Sequence, residues 1–227
     1  MFHPLEQPME RGWVGRIEGD HVVQLAAQTL ESFFTGGGSA REHAVYSLDA
    51  VRLLAPVLHP PSVRVFNAES SFWFANPAAI VGPDAAISSD GRPLALLPRL
   101  VAVVGLHGAL AGFSAFGDWR RSGAPVPKDR DFALTFGPVV VTPDGLPTEL
   151  TARVRVDEEE RLGRRLDGFD WDAARDFAAE GTRLRPGDLL AGPAAGPVDG
   201  IGPGQAVELE LTGIGTLRGS TRQRDAG

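Results

Sequence analysis

Apolar and polar positions along this chain come in short runs, and glycine or proline interrupts nearly every one. Short runs between turn residues predict strands rather than long helices. Residues 13–25 (WVGRIEGDHVVQL) read as a hairpin turning at Glu18-Gly19-Asp20. Residues 24–34 then suit a short helix ended by Gly36-Gly37-Gly38, with residues 36–41 as a linker. Residues 49–58 are apolar enough for a buried strand, broken by His59-Pro60-Pro61. A strand is expected over 62–66, then the aromatic triplet Phe72-Trp73-Phe74 and a turn at Asn76-Pro77. Residues 94–106 are apolar almost throughout, which predicts a central strand buried on both faces. Further strands are expected at 136–142, 151–156, 189–190 and 207–211, with a frayed tail from Ser220. One helix has complete signals. Asp170 can cap residues 170–179, Asp172 lies near the positive dipole end, and Trp171, Ala174 and Ala178 share a face.

The pattern therefore predicts a mixed, β-rich α+β fold. Residues 1–40 would form a small N-terminal α/β domain with its linker, and 41–227 the main domain. Composition narrows the function. The net charge of −7 lacks the basic face that nucleic acid or an anionic membrane requires, so neither is an expected partner. The chain has no cysteine, which excludes disulfides, thiolate nucleophiles and zinc–sulfur sites. It has no apolar run long enough to span a bilayer, and its first residues lack the basic-then-apolar pattern of a signal peptide. A cytoplasmic protein is expected.

Six segments, in order, carry a resemblance. They are residues 51–57 (VRLLAPV), 76–83 (NPAAIVGP), 101–105 (VAVVG), 132–144 (FALTFGPVVVTPD), 184–188 (LRPGD) and 207–217 (VELELTGIGTL). In that order they resemble the fumarylacetoacetate hydrolase (FAH) family. The resemblance implies a rolled mixed sheet with a small N-terminal domain, and usually a homodimer. It also implies action on small 1,3-dicarbonyl or 2-oxo acid substrates. Family members hold a divalent metal with four carboxylates, use a histidine as base and are assisted by a lysine.

Carried over residue by residue, three of the four metal ligands are replaced. The first falls at Val65, the Glu-x-Glu pair at Leu97 and Arg99, and the fourth at Asp118, which alone is kept. Residues 91–117 contain no Asp or Glu, so a shift of register does not restore the set. Hard divalent cations need several oxygen ligands. No metal and no other cofactor is therefore expected. Instead, Arg99 and Asp118 are expected to pair inside the old cavity.

The histidine base is missing too. Glu69 is the ionisable group left in its segment: either a base shielded by Phe72, Trp73 and Phe74, or a solvated loop carboxylate. Lys128 and Arg130 both approximate the family lysine. Spacing to Phe132 favours Arg130, and a solvated turn is the other reading. Pro193 replaces a threonine that contacts substrate in the family. His107 has no partner at metal spacing and reads as structural. Trp119 beside Asp118 is either pocket lining or core.

Glu69, Asp118, Lys128 and Arg130 are thus the catalytic candidates. Arg99, Phe72, Trp73, Phe74, Trp119 and Pro193 are the substrate-binding ones. The expected function is a metal-independent isomerase, cyclase, hydrolase or C–C cleaving enzyme of this fold, acting on a polyketide-like dicarbonyl or oxo acid, as in secondary metabolism. A non-catalytic binding protein and an orthodox metal-dependent hydrolase are the alternatives.

Overall fold

The computed structural model describes residues 1–36 and 38–223. Its N-terminal elements are β1 (Phe2–Pro4), β2 (Gly15–Glu18), β3 (His21–Ala26), α1 (Leu30–Phe34), β4 (Ser39–Ser47) and β5 (Val51–Leu53). The main body follows with β6 (Val63–Ala68), β7 (Ser71–Ala75), β8 (Ile80–Val81), β9 (Ala85–Ser88), β10 (Leu94–Val104), β11 (Leu110–Arg121) and β12 (Leu134–Val141). It ends with β13 (Leu150–Val156), β14 (Glu159–Leu166), α2 (Trp171–Ala179), β15 (Leu189–Ala191), β16 (Val198–Ile201), β17 (Ala206–Leu211) and β18 (Gly215–Arg222).

The strands form the mixed, β-rich α+β fold that the pattern predicts. The large sheet runs β7-β6-β15-β10-β11-β12-β8, with β16 also paired to β10. A second sheet, β14-β13-β17-β18-β9, packs against one face of it. β10 lies at the centre and is buried along nearly its whole length. Because side chains alternate across a strand, Leu100, Ala102 and Val104 feed the core shared by the two sheets. Val101 and Val103 feed a second core on the opposite face, with Val63, Val65, Phe116 and Phe136. Burial of both faces explains why residues 94–104 read as one apolar run rather than an alternating one.

β10 has one break in its pairing. β16 contacts it at Leu94 and Leu96, and β15 at Val101 to Val103. Between them the 192–195 loop crosses its edge, Gly192 N donating to Leu100 O (2.8 Å) and Ala195 N to Pro98 O (2.9 Å). A strand residue's N–H and C=O point to the same side, so the missing N–H of Pro98 faces this loop and costs no ladder bond.

Four local expectations need correction. The helix expected over 24–34 is only Leu30–Phe34, because residues 24–26 belong to β3. Thr29 caps α1, accepting from Ser32 N while Ser32 Oγ accepts from Thr29 N. The linker expected at 36–41 contains the start of β4, which pairs with β3 through Ser47 and so carries the N-terminal sheet past residue 40. Gly37 lies outside the described residues. The buried strand expected over 49–58 shortens to β5 after a 3₁₀ turn at Leu48–Ala50. Residues 220–222, expected to fray, are held in β18 by pairing with β17 and β9.

Candidate functional site

Register brings the carried-over positions together on one face. Leu97 lies opposite Asp118 and Arg99 opposite Phe116. Val65 lies opposite Trp73 on one side and Ala191 on the other. Odd positions of β10, even positions of β11 and odd positions of β6 and β7 therefore share a surface. At its centre is the Arg99 guanidinium, whose side chain is 2% exposed.

Three oxygens surround it. Nη1 donates to Phe66 O (3.1 Å) and Gly192 O (2.8 Å), and Nε donates to Asp118 Oδ2 (3.3 Å), with Nη2 3.1 Å from the same oxygen. The expected internal pair between Arg99 and Asp118 is thus present. Gly192 has to be small for this. A Cβ there would lie 3.0 Å from the Trp171 ring, so only glycine lets the loop bring its carbonyl to Arg99 without displacing that ring. Burial lowers the Arg99 pKa, the Asp118 carboxylate opposes the shift, and Arg120 adds to it.

The cluster extends outward. Arg120 grips Asp118 in a two-pronged contact, Nε to Oδ1 at 3.0 Å and Nη2 to Oδ2 at 2.8 Å. Its Nη1 is 3.7 Å from Asp129, which Arg130 holds at 2.8 Å. The Arg130 contact drives the Asp129 pKa down, and Asp129 in turn raises that of Arg130. The Trp73 ring lies over all three guanidinium carbons, 5.4 Å from Arg99, 5.6 Å from Arg120 and 5.9 Å from Arg130. Side-chain exposure rises from 2% at Arg99 to 14% at Arg120 and 31% at Arg130, so the cluster is sealed at its base and reachable at its rim.

The other candidates fall elsewhere. Trp119 projects to the opposite face, where it is buried in the main core and donates to Thr135 Oγ1 (3.2 Å). Phe72 and Phe74 also leave the Arg99 face, because β7 alternates. They stack near Arg64 instead, and Phe74 is 66% exposed. Glu69 sits in the β6–β7 turn and accepts from Asp170 N (3.2 Å) at the start of α2. Lys128 is 71% exposed and paired with Asp131 (2.6 Å), so of the two lysine surrogates the structure brings only Arg130 into the cluster. Near Pro193, the group that touches Arg99 is the preceding Gly192 carbonyl. His107 adopts φ 55° in a 3₁₀ turn beyond β10. Sequence reasoning missed Arg120 and Asp129. The signal for Arg120 was its two-residue spacing from Asp118, legible once residues 110–121 are seen as a strand.

The sequence profile described as fumarylacetoacetate (FAA) hydrolase C-terminal matches residues 117–221. Over these residues, a little under half of the chain, the protein is similar to the C-terminal domain of the fumarylacetoacetate hydrolase family. Solved structures similar to it include a fumarylacetoacetate hydrolase from Exiguobacterium antarcticum, at 22% identity and TM-score 0.81, covering 98% of this chain and 99% of that one. Another is maleylpyruvate hydrolase from Sphingobium sp. SYK-6 in complex with manganese(II) and pyruvate, at 18% identity and TM-score 0.76, covering 94% and 97%. A third is 2-hydroxyhepta-2,4-diene-1,7-dioate isomerase from Mycobacterium marinum, at 22% identity and TM-score 0.76, covering 94% of each chain. No curated protein matches the chain.

The divalent metal of the FAH family does not fit these residues. Val65 and Leu97 offer no donor, and a guanidinium already engages the one retained carboxylate. Among the described residues, no group of three or more His, Cys, Asp or Glu side chains is arranged to hold an ion. No helix among them is long and apolar enough to cross a membrane.

Proposed function

We propose that this FAH-family protein is a metal-independent enzyme that takes a small 2-oxo acid or 1,3-dicarbonyl compound at the Arg120–Arg130 rim under Trp73. One observation carries the reading: three guanidiniums face two carboxylates in a cluster closed from behind. The surplus positive charge suits an anion. A carboxylate matches the planar fork of a guanidinium, and an enolate would be stabilised there in surroundings that screen it weakly. Arg99 is a positioning residue in this scheme. Its donors are spent on Asp118 and two carbonyls, and it fixes Asp118, which fixes Arg120.

The chemistry supported is polarisation of a dicarbonyl toward its enolate, as isomerisation, cyclisation or C–C cleavage requires. A second reading, a non-catalytic binding protein, is favoured by a specific feature. Both carboxylates of the cluster are held by arginines. We also propose that the protein works as a homodimer, which light scattering tests.

The deciding experiment treats the protein with a chelator, then measures binding and turnover of oxaloacetate and acylpyruvates by calorimetry and ultraviolet absorbance. Turnover that survives the chelator and falls in Arg130→Ala supports the enzyme. Binding that weakens in Arg130→Ala without turnover in the parent supports the second reading. Absence of both binding and turnover overturns both.

A further inference from the structure

We infer that the protein carries a second ligand site, separate from the arginine cluster, for a neutral and largely apolar small molecule. It is a cleft of about 810 Å³ between the N-terminal sheet and the main body. One wall is α1, presenting Leu30, Phe33 and Phe34, and the other is the end of β12, where Val140 lies on the same side as α1 and Val139 and Val141 turn to the main core.

Three observations lead to a ligand of this class. First, Leu30, Phe33, Phe34 and Val140 are only half-buried, although apolar side chains facing each other across an interface ordinarily close on one another. At the base they do meet: Leu30, Phe34 and Val140 all pack against the same core. The capping box between Thr29 and Ser32 fixes the start of α1. Second, the cleft is concave, two-walled and at a junction of two units, with a volume typical of small-molecule sites. β12 is paired by β8 only at Leu134 and Thr135, so beyond them no described strand covers its outer edge. Third, charge at the mouth selects the ligand. Arg16 is already shared by Glu18 (2.6 Å) and Glu42 (2.7 Å), leaving that rim net negative, and Arg218 is engaged by Glu208 (2.8 Å). The α-amino group of Met1 also lines the cleft, but burial lowers its pKa to about 6, so it is largely uncharged at neutral pH; no full cation is left over for a carboxylate or phosphate, and fatty acids and other anions are disfavoured.

The cleft shares no lining residue with Trp73, Arg99, Asp118, Arg120, Asp129 or Arg130, so the inference stands apart from the proposed reaction.

Titration with the neutral dye N-phenyl-1-naphthylamine tests it, with its anionic relative 1-anilinonaphthalene-8-sulfonate alongside. Saturable one-to-one enhancement by the neutral dye is expected, with weaker binding of the sulfonate. Ile17 lines the mouth and is 37% exposed, so Ile17→Asp should fold and should weaken the neutral dye about tenfold by placing a charge in its path. Val140→Trp fills the cleft and should abolish binding, with circular dichroism checking its fold. Arg130→Ala should leave dye affinity unchanged. Unsaturable binding, equal affinity in Ile17→Asp, or preference for the sulfonate overturns the site. So does a dimer in sedimentation that excludes the dye and is broken by Ile17→Asp, because the cleft would then be an interface between copies.

Discussion

Arg99→Ala is the most informative single change. The substitution removes two hydrogen bonds from a charged donor to the Phe66 and Gly192 carbonyls. Each is worth about 1.5 kcal/mol at the low end for charged donors, so about 3 kcal/mol follows from the carbonyls alone. Asp118 is not orphaned, because Arg120 still holds both its oxygens. A total of about 3–4 kcal/mol is therefore expected, at the lower end of what breaking a buried ion pair costs. Asp118→Ala should cost more, about 4–5 kcal/mol, because it strips Arg99 and Arg120 of a shared carboxylate and leaves a buried and a partly buried cation facing each other. The double variant should fall short of the sum by about 1–3 kcal/mol, the range for residues in direct contact. Urea unfolding measures all three, read as shifts in midpoint at constant slope. A loss below about 1 kcal/mol for Arg99→Ala, or additivity within about 0.5 kcal/mol, would refute the buried pair.

Three further outcomes are expected. Equilibration with Mg²⁺ or Mn²⁺ followed by elemental analysis should find no stoichiometric metal, and a tight one-to-one ion would contradict the reading of Val65, Leu97 and Arg99. Lys128→Ala should change stability by less than about 0.5 kcal/mol in thermal unfolding, because its pair with Asp131 is solvated. Arg130 depresses the Asp129 pKa, so this carboxylate stabilises the fold above its unfolded-state value near ~4 and stops doing so as pH falls through the lower folded value. Asp129→Asn should thus lower stability at neutral pH and flatten the acid limb of a melting-temperature profile; parallel profiles would exclude the contribution.

Elements with a strong local signal were legible in the sequence. β10 announced itself as an uninterrupted apolar run, and α2 by its Asp170 cap and its Ala174–Ala178 face. β4 and β14 were not, because both lie at sheet edges, are largely exposed and carry polar residues on both faces. With no buried side, the two-residue period fades. The end of β3 was read into α1, although Thr29 and Ser32 already spelled a helix start. At the site, Arg99 and Asp118 could be paired from the resemblance. Arg120 needed strand parity, and Asp129 needed the path of a loop that neither periodicity nor spacing encodes. Phe72, Phe74 and Trp119 lie off the Arg99 face for one reason: adjacent residues in a strand face opposite ways, so a cluster in sequence is split in space.

An ion held by carboxylates has a dissociation constant, and occupancy then follows the concentration of free metal. The guanidinium of Arg99 has none, because it is tethered to the strand that forms the floor of its own socket. The conformational entropy of placing it is spent once, when β10 pairs with β11. The positive charge that Arg99 places at this position is therefore independent of the concentration of free metal, because the folded chain has removed it from mass action.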